Sequence, residues 1–121
     1  MTLRVGVDMI EVARIERAAL RHGERFFKRF FTEKERELCQ NQPRRLAARL
    51  AAKEAVAKAF GTGIGEIRWR EIEVLHDERG RPILQFHGDA AVLAAKMGLL
   101  TWEVSLSHTQ DNAIAFVVAL G

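Results

Sequence analysis

Cysteine is almost missing from the 121 residues, with Cys39 the only one. No disulfide can close within such a chain, and neither a Cys-based zinc cluster nor a Cys-x-x-Cys redox pair can be built. A reducing, cytoplasmic home is expected. Long apolar runs are missing as well: the opening MTLRVGVDMIEVARIE is interrupted by Arg4, Asp8, Glu11 and Arg14, which fits neither a signal peptide nor a membrane span. There is no internal repeat, low-complexity tract or linker, so a single domain over residues 1–121 is expected. Charge of one sign is only slightly in excess, at +3 with a pI near 9.5. That excess suits an acidic or polyanionic partner and is also common without one. What is present, 48% hydrophobic and 29% charged residues, is the composition of a soluble globular chain around one core.

Periodicity divides the chain into elements. Leu3, Val5, Val7 and Met9 alternate with Arg4, Gly6 and Asp8, the pattern of a half-buried strand with Asp8 near its end, opposite the apolar set. From Glu11 the spacing becomes helical, with Val12, Ile15, Ala18 and Ala19 on one face and Arg14, Arg17 and Arg21 on another. Phe26 to Cys39 predicts one short helix, with Thr32 and Glu35 three apart as a capping box. Pro43 opens the longest helix, which runs to Phe60 and stops at Gly61 in GTGIG. A hairpin around Gly80 follows, then an Ala-rich helix capped by Asp89 and ended by Gly98. Two strands close the chain, Thr101 to Thr109 and Ala113 to Leu120, the second apolar without interruption and expected to be buried on both faces. The order β-α-α-α-β-β-α-β-β predicts an α+β fold with an antiparallel sheet and one long central helix.

Few residues stand out chemically. Glu54 and Lys58 lie one turn apart on the long helix, which suits an ordinary surface pair. Joined with Asp8, they make two carboxylates and a cation, the set that holds Mg²⁺ against a phosphorylated substrate. Arg45, Arg49 and Lys53 repeat every four residues, either as a solvated face or as an anion site. GTGIG lacks the spacing of a P-loop or a dinucleotide fingerprint. His108 in VSLSHT could be a base, a phosphate donor or a polar edge residue; with no GxSxG elbow, Ser105 and Ser107 do not make a hydrolase triad with it. Trp69, Trp102 and the phenylalanines near residue 30 read as core or interface, and no aromatic and basic interleave marks a nucleic-acid platform.

Laid side by side, GVDMIEVARIE at 6–16, the FxxRxFT segment at 26–32, ARLAAKEAVAKAFGTGIG at 48–65, the GRP turn at 80–82 and VSLSHT at 104–109 closely resemble the holo-acyl carrier protein synthases of the 4′-phosphopantetheinyl transferase family. The resemblance covers nearly the whole length. It implies the fold of that family and Mg²⁺-dependent transfer of the phosphopantetheine arm of coenzyme A to a serine of apo-acyl carrier protein, releasing adenosine 3′,5′-bisphosphate, in fatty acid biosynthesis. It implies Asp8 and Glu54 as magnesium ligands, Lys58 beside the pyrophosphate, and Arg49 and His108 at the nucleotide, with Gly61, Thr62, Gly63 and Thr109 close by. Glu54 is a candidate to accept the serine proton. Arg14, Arg17 and Arg21 would dock the acidic carrier, and the family's homotrimer places sites between subunits. Neither a nucleic acid nor a membrane is expected as a partner; a basic nucleic-acid module would need no coenzyme A, and a purely structural subunit would tolerate loss of Asp8 or Glu54.

Overall fold

A computed structural model describes residues 1–61 and 65–121. The chain runs through β1 (Leu3–Glu11), α1 (Val12–His22), α2 (Glu24–Phe30), α3 (Glu33–Cys39), α4 (Pro43–Phe60), a 3₁₀ turn (Trp69–Glu71), β2 (Ile72–His76), β3 (Pro82–Phe86), α5 (Gly88–Lys96), β4 (Thr101–His108) and β5 (Asn112–Leu120). The strands form an antiparallel sheet in the order β1-β5-β4 and a separate β2-β3 hairpin. The predicted α+β order holds, with one helix more than expected: the segment from Phe26 to Cys39 breaks at Phe31, whose φ of −129° and ψ of 144° are extended. Thr32 then caps α3, accepting from the Glu35 amide while the Glu35 carboxylate accepts from the Thr32 amide, a reciprocal cap worth about 1 kcal/mol.

Helix α4 lies across β1 and β5 and is buried almost throughout. A pairing of Ala and Gly lets it come so close. Ala113, Ala115, Val117 and Ala119 of β5 face it, and a Cβ added to Gly6 of β1 would collide with the carbonyl of Ala55. Arg4 donates to the carbonyls of Ala59 (2.8 Å) and Phe60 (3.1 Å), placing a cation at the helix C-terminus. Gly61 ends the helix at φ 83°, a conformation open to glycine without steric cost.

Register overturns two expectations. The face of β1 turned to the core is Arg4, Gly6, Asp8 and Ile10; Leu3, Val5, Val7 and Met9 face out, 48 to 66% exposed. On β5, burial likewise alternates, leaving Ile114, Phe116 and Leu120 exposed. The expectation that this strand is covered on both faces fails within one chain, because α4 supplies only one layer. The two exposed sets lie side by side through the pairing of Val7 with Phe116 and Met9 with Ile114. Asp89, expected to cap α5, has no capping hydrogen bond. The helix begins after His87, and the Glu71 carboxylate accepts from the Asp89 amide.

Candidate active site

The alternation that turns Val7 and Met9 outward turns Asp8 inward, onto α4. There Asp8 meets Lys58, whose ammonium donates to Asp8 Oδ1 at 3.1 Å and to the Val7 carbonyl at 2.9 Å. Lys58 therefore binds the strand rather than Glu54, and the reading of Glu54 and Lys58 as a simple surface pair is not what forms. Glu54, one turn earlier, faces Arg14 of α1 at 3.5 Å. Burial, reinforced by the neighbouring Asp8 carboxylate, pushes the Glu54 carboxyl up to about 7, against which Arg14 pulls only weakly. Among the described residues Asp8 Oδ2 is buried with no hydrogen-bond partner. Two carboxylates from different elements thus face one another in part-buried surroundings, and one oxygen has nothing to bind. An arrangement of this kind is costly unless a cation completes it.

A hard divalent cation fits that gap. Mg²⁺ is commonly held by one or two protein carboxylates, with waters and substrate phosphates filling its other positions. No group of three or more His, Cys, Asp or Glu that could hold a metal occurs among the described residues. Asp8 and Glu54 are the residues that would hold it.

Other residues singled out by sequence stand apart from this group. His108 ends β4 in the row Ile10, Ala113, His108, two strands from β1, or about 10 Å at ordinary strand spacing. It shares the inward face of the sheet and is exposed there. Ser105 and Ser107 face the other side. The Thr109 hydroxyl accepts from the amides of Asp111 and Asn112 and closes the β4–β5 turn. Arg49 is half-buried on α4, its Nε without a partner among the described residues. Gly61 is the helix cap, while Thr62 and Gly63, like Ile64, lie outside the described residues. Arg17 and Arg21 are exposed along α1, and Arg14 joins that stripe to Glu54.

The stripe of Arg45, Arg49 and Lys53 does not exist as one face. Lys53 is fully buried and donates to Glu35 Oε1 (2.7 Å), the Phe30 carbonyl (2.6 Å) and the Trp69 carbonyl (3.1 Å). Glu35 Oε2 in turn accepts from the Val74 amide at 2.8 Å. Burial pulls the Lys53 ammonium down from its ordinary value, with Glu35 opposing. Sequence reasoning missed this network and also Thr32–Glu73–His87, where the Glu73 carboxylate accepts from the Thr32 hydroxyl at 2.6 Å and lies 3.0 Å from His87 Nε2. A clue to the first was present: Lys53 sits inside the Ala-rich run AAKEAVAKAF, after Ala51 and Ala52.

Comparison with known proteins gives the family. Residues 4–117 match the 4′-phosphopantetheinyl transferase superfamily. The holo-[acyl-carrier-protein] synthase of Herpetosiphon aurantiacus is 49% identical over 126 residues, spanning 98% of this chain and 99% of that protein. That of Alkalilimnicola ehrlichii is 46% identical over 123 residues, spanning 98% and 96%. The crystal structure of the Neisseria meningitidis enzyme superposes with a TM-score of 0.89 at 34% identity, covering 98% of each chain. The Helicobacter pylori enzyme in complex with coenzyme A superposes with a TM-score of 0.88 at 28% identity, covering 96% of this chain and 99% of that one. With the fold, the length and the sequence all in agreement, this chain belongs to the 4′-phosphopantetheinyl transferase superfamily, among its holo-[acyl-carrier-protein] synthases.

Proposed function

We propose that the chain moves the 4′-phosphopantetheine arm of coenzyme A onto a serine hydroxyl of apo-acyl carrier protein at the site formed by Asp8, Glu54 and Lys58. The observation that carries this reading is the unfinished carboxylate pair: Asp8 Oδ2 is buried without a partner among the described residues and Glu54 is raised to about 7 beside it. Asp8 and Glu54 would hold Mg²⁺, which would supply electrostatic stabilisation of the pyrophosphate oxygens. Attack of the serine oxygen on the β-phosphorus forms the new P–O bond as the bridging P–O bond breaks, and adenosine 3′,5′-bisphosphate leaves with the bridging oxygen. Lys58 is exposed beside Asp8, where its ammonium can neutralise charge developing on the leaving group. Glu54, its carboxylate free of the proton once the cation is bound, would accept the serine proton.

The carrier docks on α1, where Arg17 and Arg21 are exposed and lead through Arg14 to Glu54. Opposite charge steers an acidic partner and fixes its orientation. The apolar outer face of β1 and β5 is covered in a homotrimer. A neighbour laid on that face meets the very strand that carries Asp8, and residues such as His108 and Arg49, apart from Asp8 in one chain, can serve the nucleotide across the subunit boundary. Among the described residues no helix is long and apolar enough to cross a membrane, and a cytoplasmic enzyme of fatty acid biosynthesis is the setting we assign.

The test is intact-mass spectrometry of apo-acyl carrier protein incubated with the protein, coenzyme A and Mg²⁺. A gain of about 340 Da, the phosphopantetheine arm, that disappears with EDTA supports the reading; no gain with a folded, coenzyme A-binding protein contradicts it. Sedimentation of the protein and of a Val7→Glu, Phe116→Glu variant tests the assembly. A trimer that falls to monomers in the variant is expected, and a monomer in both contradicts it.

A further inference from the structure

The basic surface does not end with α1. Arg25 and Arg29 line a cleft of about 200 Å³ between the end of α1 and α2. Arg29 also lines a larger neighbouring groove of about 480 Å³, whose walls carry Lys28 from α2 and Arg68, Trp69 and Arg70 from the 3₁₀ turn. The four cations of this groove are exposed, no acidic residue lines it, and among the described residues none of the four has an ion-pair partner. The nearest acid on α2, Glu24, is engaged at both oxygens by Arg36.

The groove has a fixed frame. The ring of Trp69 packs on Phe30 at 5.5 Å, and the carbonyls of both residues accept from Lys53. Its two walls are therefore tied to one buried ammonium, which holds like charges close together. Repulsion of this kind is relieved when an anionic partner enters. Two cations come from each wall rather than converging on one point, an arrangement suited to a row of carboxylates on a protein segment.

We propose that this groove is a second docking surface for the acidic carrier protein, continuous with the α1 stripe through Arg25 and Arg29. The proposal rests on the reading of the chain as a carrier-protein transferase. The α1 stripe delivers the serine to the Asp8–Glu54 site, and the groove grips a further acidic segment of the same carrier, fixing its rotation about the point of attack.

Direct binding of fluorescently labelled apo-acyl carrier protein, without coenzyme A, tests this whether or not transfer occurs. Arg68→Glu with Arg70→Glu should raise the carrier Kd about tenfold or more and flatten its dependence on salt, while the Kd for coenzyme A stays as it is. Arg79→Glu with Arg81→Glu, equal in charge change and at the β2–β3 turn away from both the groove and α1, should leave both unchanged. If charge reversal lowers the melting temperature, Arg68→Ser with Arg70→Ser should still weaken the carrier several-fold. Carrier affinity that matches the control pair would overturn the proposal, and so would loss of coenzyme A affinity in its place, which would assign the groove to the nucleotide. Failure of the underlying function shows separately, as absence of transfer by the unmutated protein.

Discussion

Lys53 and Glu54 are neighbours on α4, yet they end in opposite kinds of polar cluster. Lys53 has three protons and three acceptors, its partner Glu35 is also capped and bonded, and both charged side chains are closed off from solvent. Glu54 faces another carboxylate, its own carboxyl is pushed up to about 7, and beside it is an oxygen with no partner among the described residues. The first cluster is complete in the chain alone and ties α2, α3, α4 and β2 together. The second becomes complete only when something arrives. A saturated buried network marks structure, whereas an unsaturated one on a part-exposed edge marks a place for a ligand.

Substitutions can break this contrast from either side. The largest effect is expected at Lys53→Met, which leaves the Glu35 carboxylate buried without its cation and should cost about 3–5 kcal/mol of stability; denaturant unfolding measures it. Asp8→Ala should instead spare the fold and lower kcat for transfer by about 10²–10³-fold, or ~3–4 kcal/mol in the barrier, read from single-turnover mass spectrometry. Gly6→Ala brings a methyl against the Ala55 carbonyl and should cost about 1–3 kcal/mol as strand and helix are pushed apart. Activity should fall with it, because the same contact sets Asp8 against Glu54. A smaller effect should be seen with pH. Glu54 has a folded-state value above its ordinary one, so its contribution to stability is fully present below about 4.5 and is lost as pH rises through about 7. Metal-free protein should therefore melt a few degrees lower at pH 8 than Glu54→Gln, and the difference should close near pH 5.

Much of the fold could be read from the sequence because its signals are local. The Thr32–Glu35 box, Pro43 and Gly61 around α4, and Gly80 in the hairpin each depend on a few adjacent residues, and each holds. The sheet's burial could not be read that way. Alternation in β1 shows that two faces differ, but it does not say which one meets the helix. Gly6 and the alanines of β5 decide that by permitting close approach, which exposes Leu3, Val5, Val7 and Met9. The pairing of carboxylates was legible as Asp8 and Glu54 because their residue types matched a resemblance; the place of Arg14 beside Glu54, and of Lys58 on Asp8 and not on Glu54, depends on contacts forty to fifty residues apart in sequence. Lys53 was misread for the same reason. Spacing of four along a helix gives a shared side, not a shared environment, and the side of Lys53 is closed by Phe30, Glu35 and Trp69.

The contrast between the two clusters is tested most directly by the melting temperatures of Glu54→Gln and Lys53→Met beside the unmutated protein, at pH 8 in EDTA. One should rise and the other should fall steeply. A fall in both would contradict the account, since it would make Glu54 as much a part of the finished framework as Lys53.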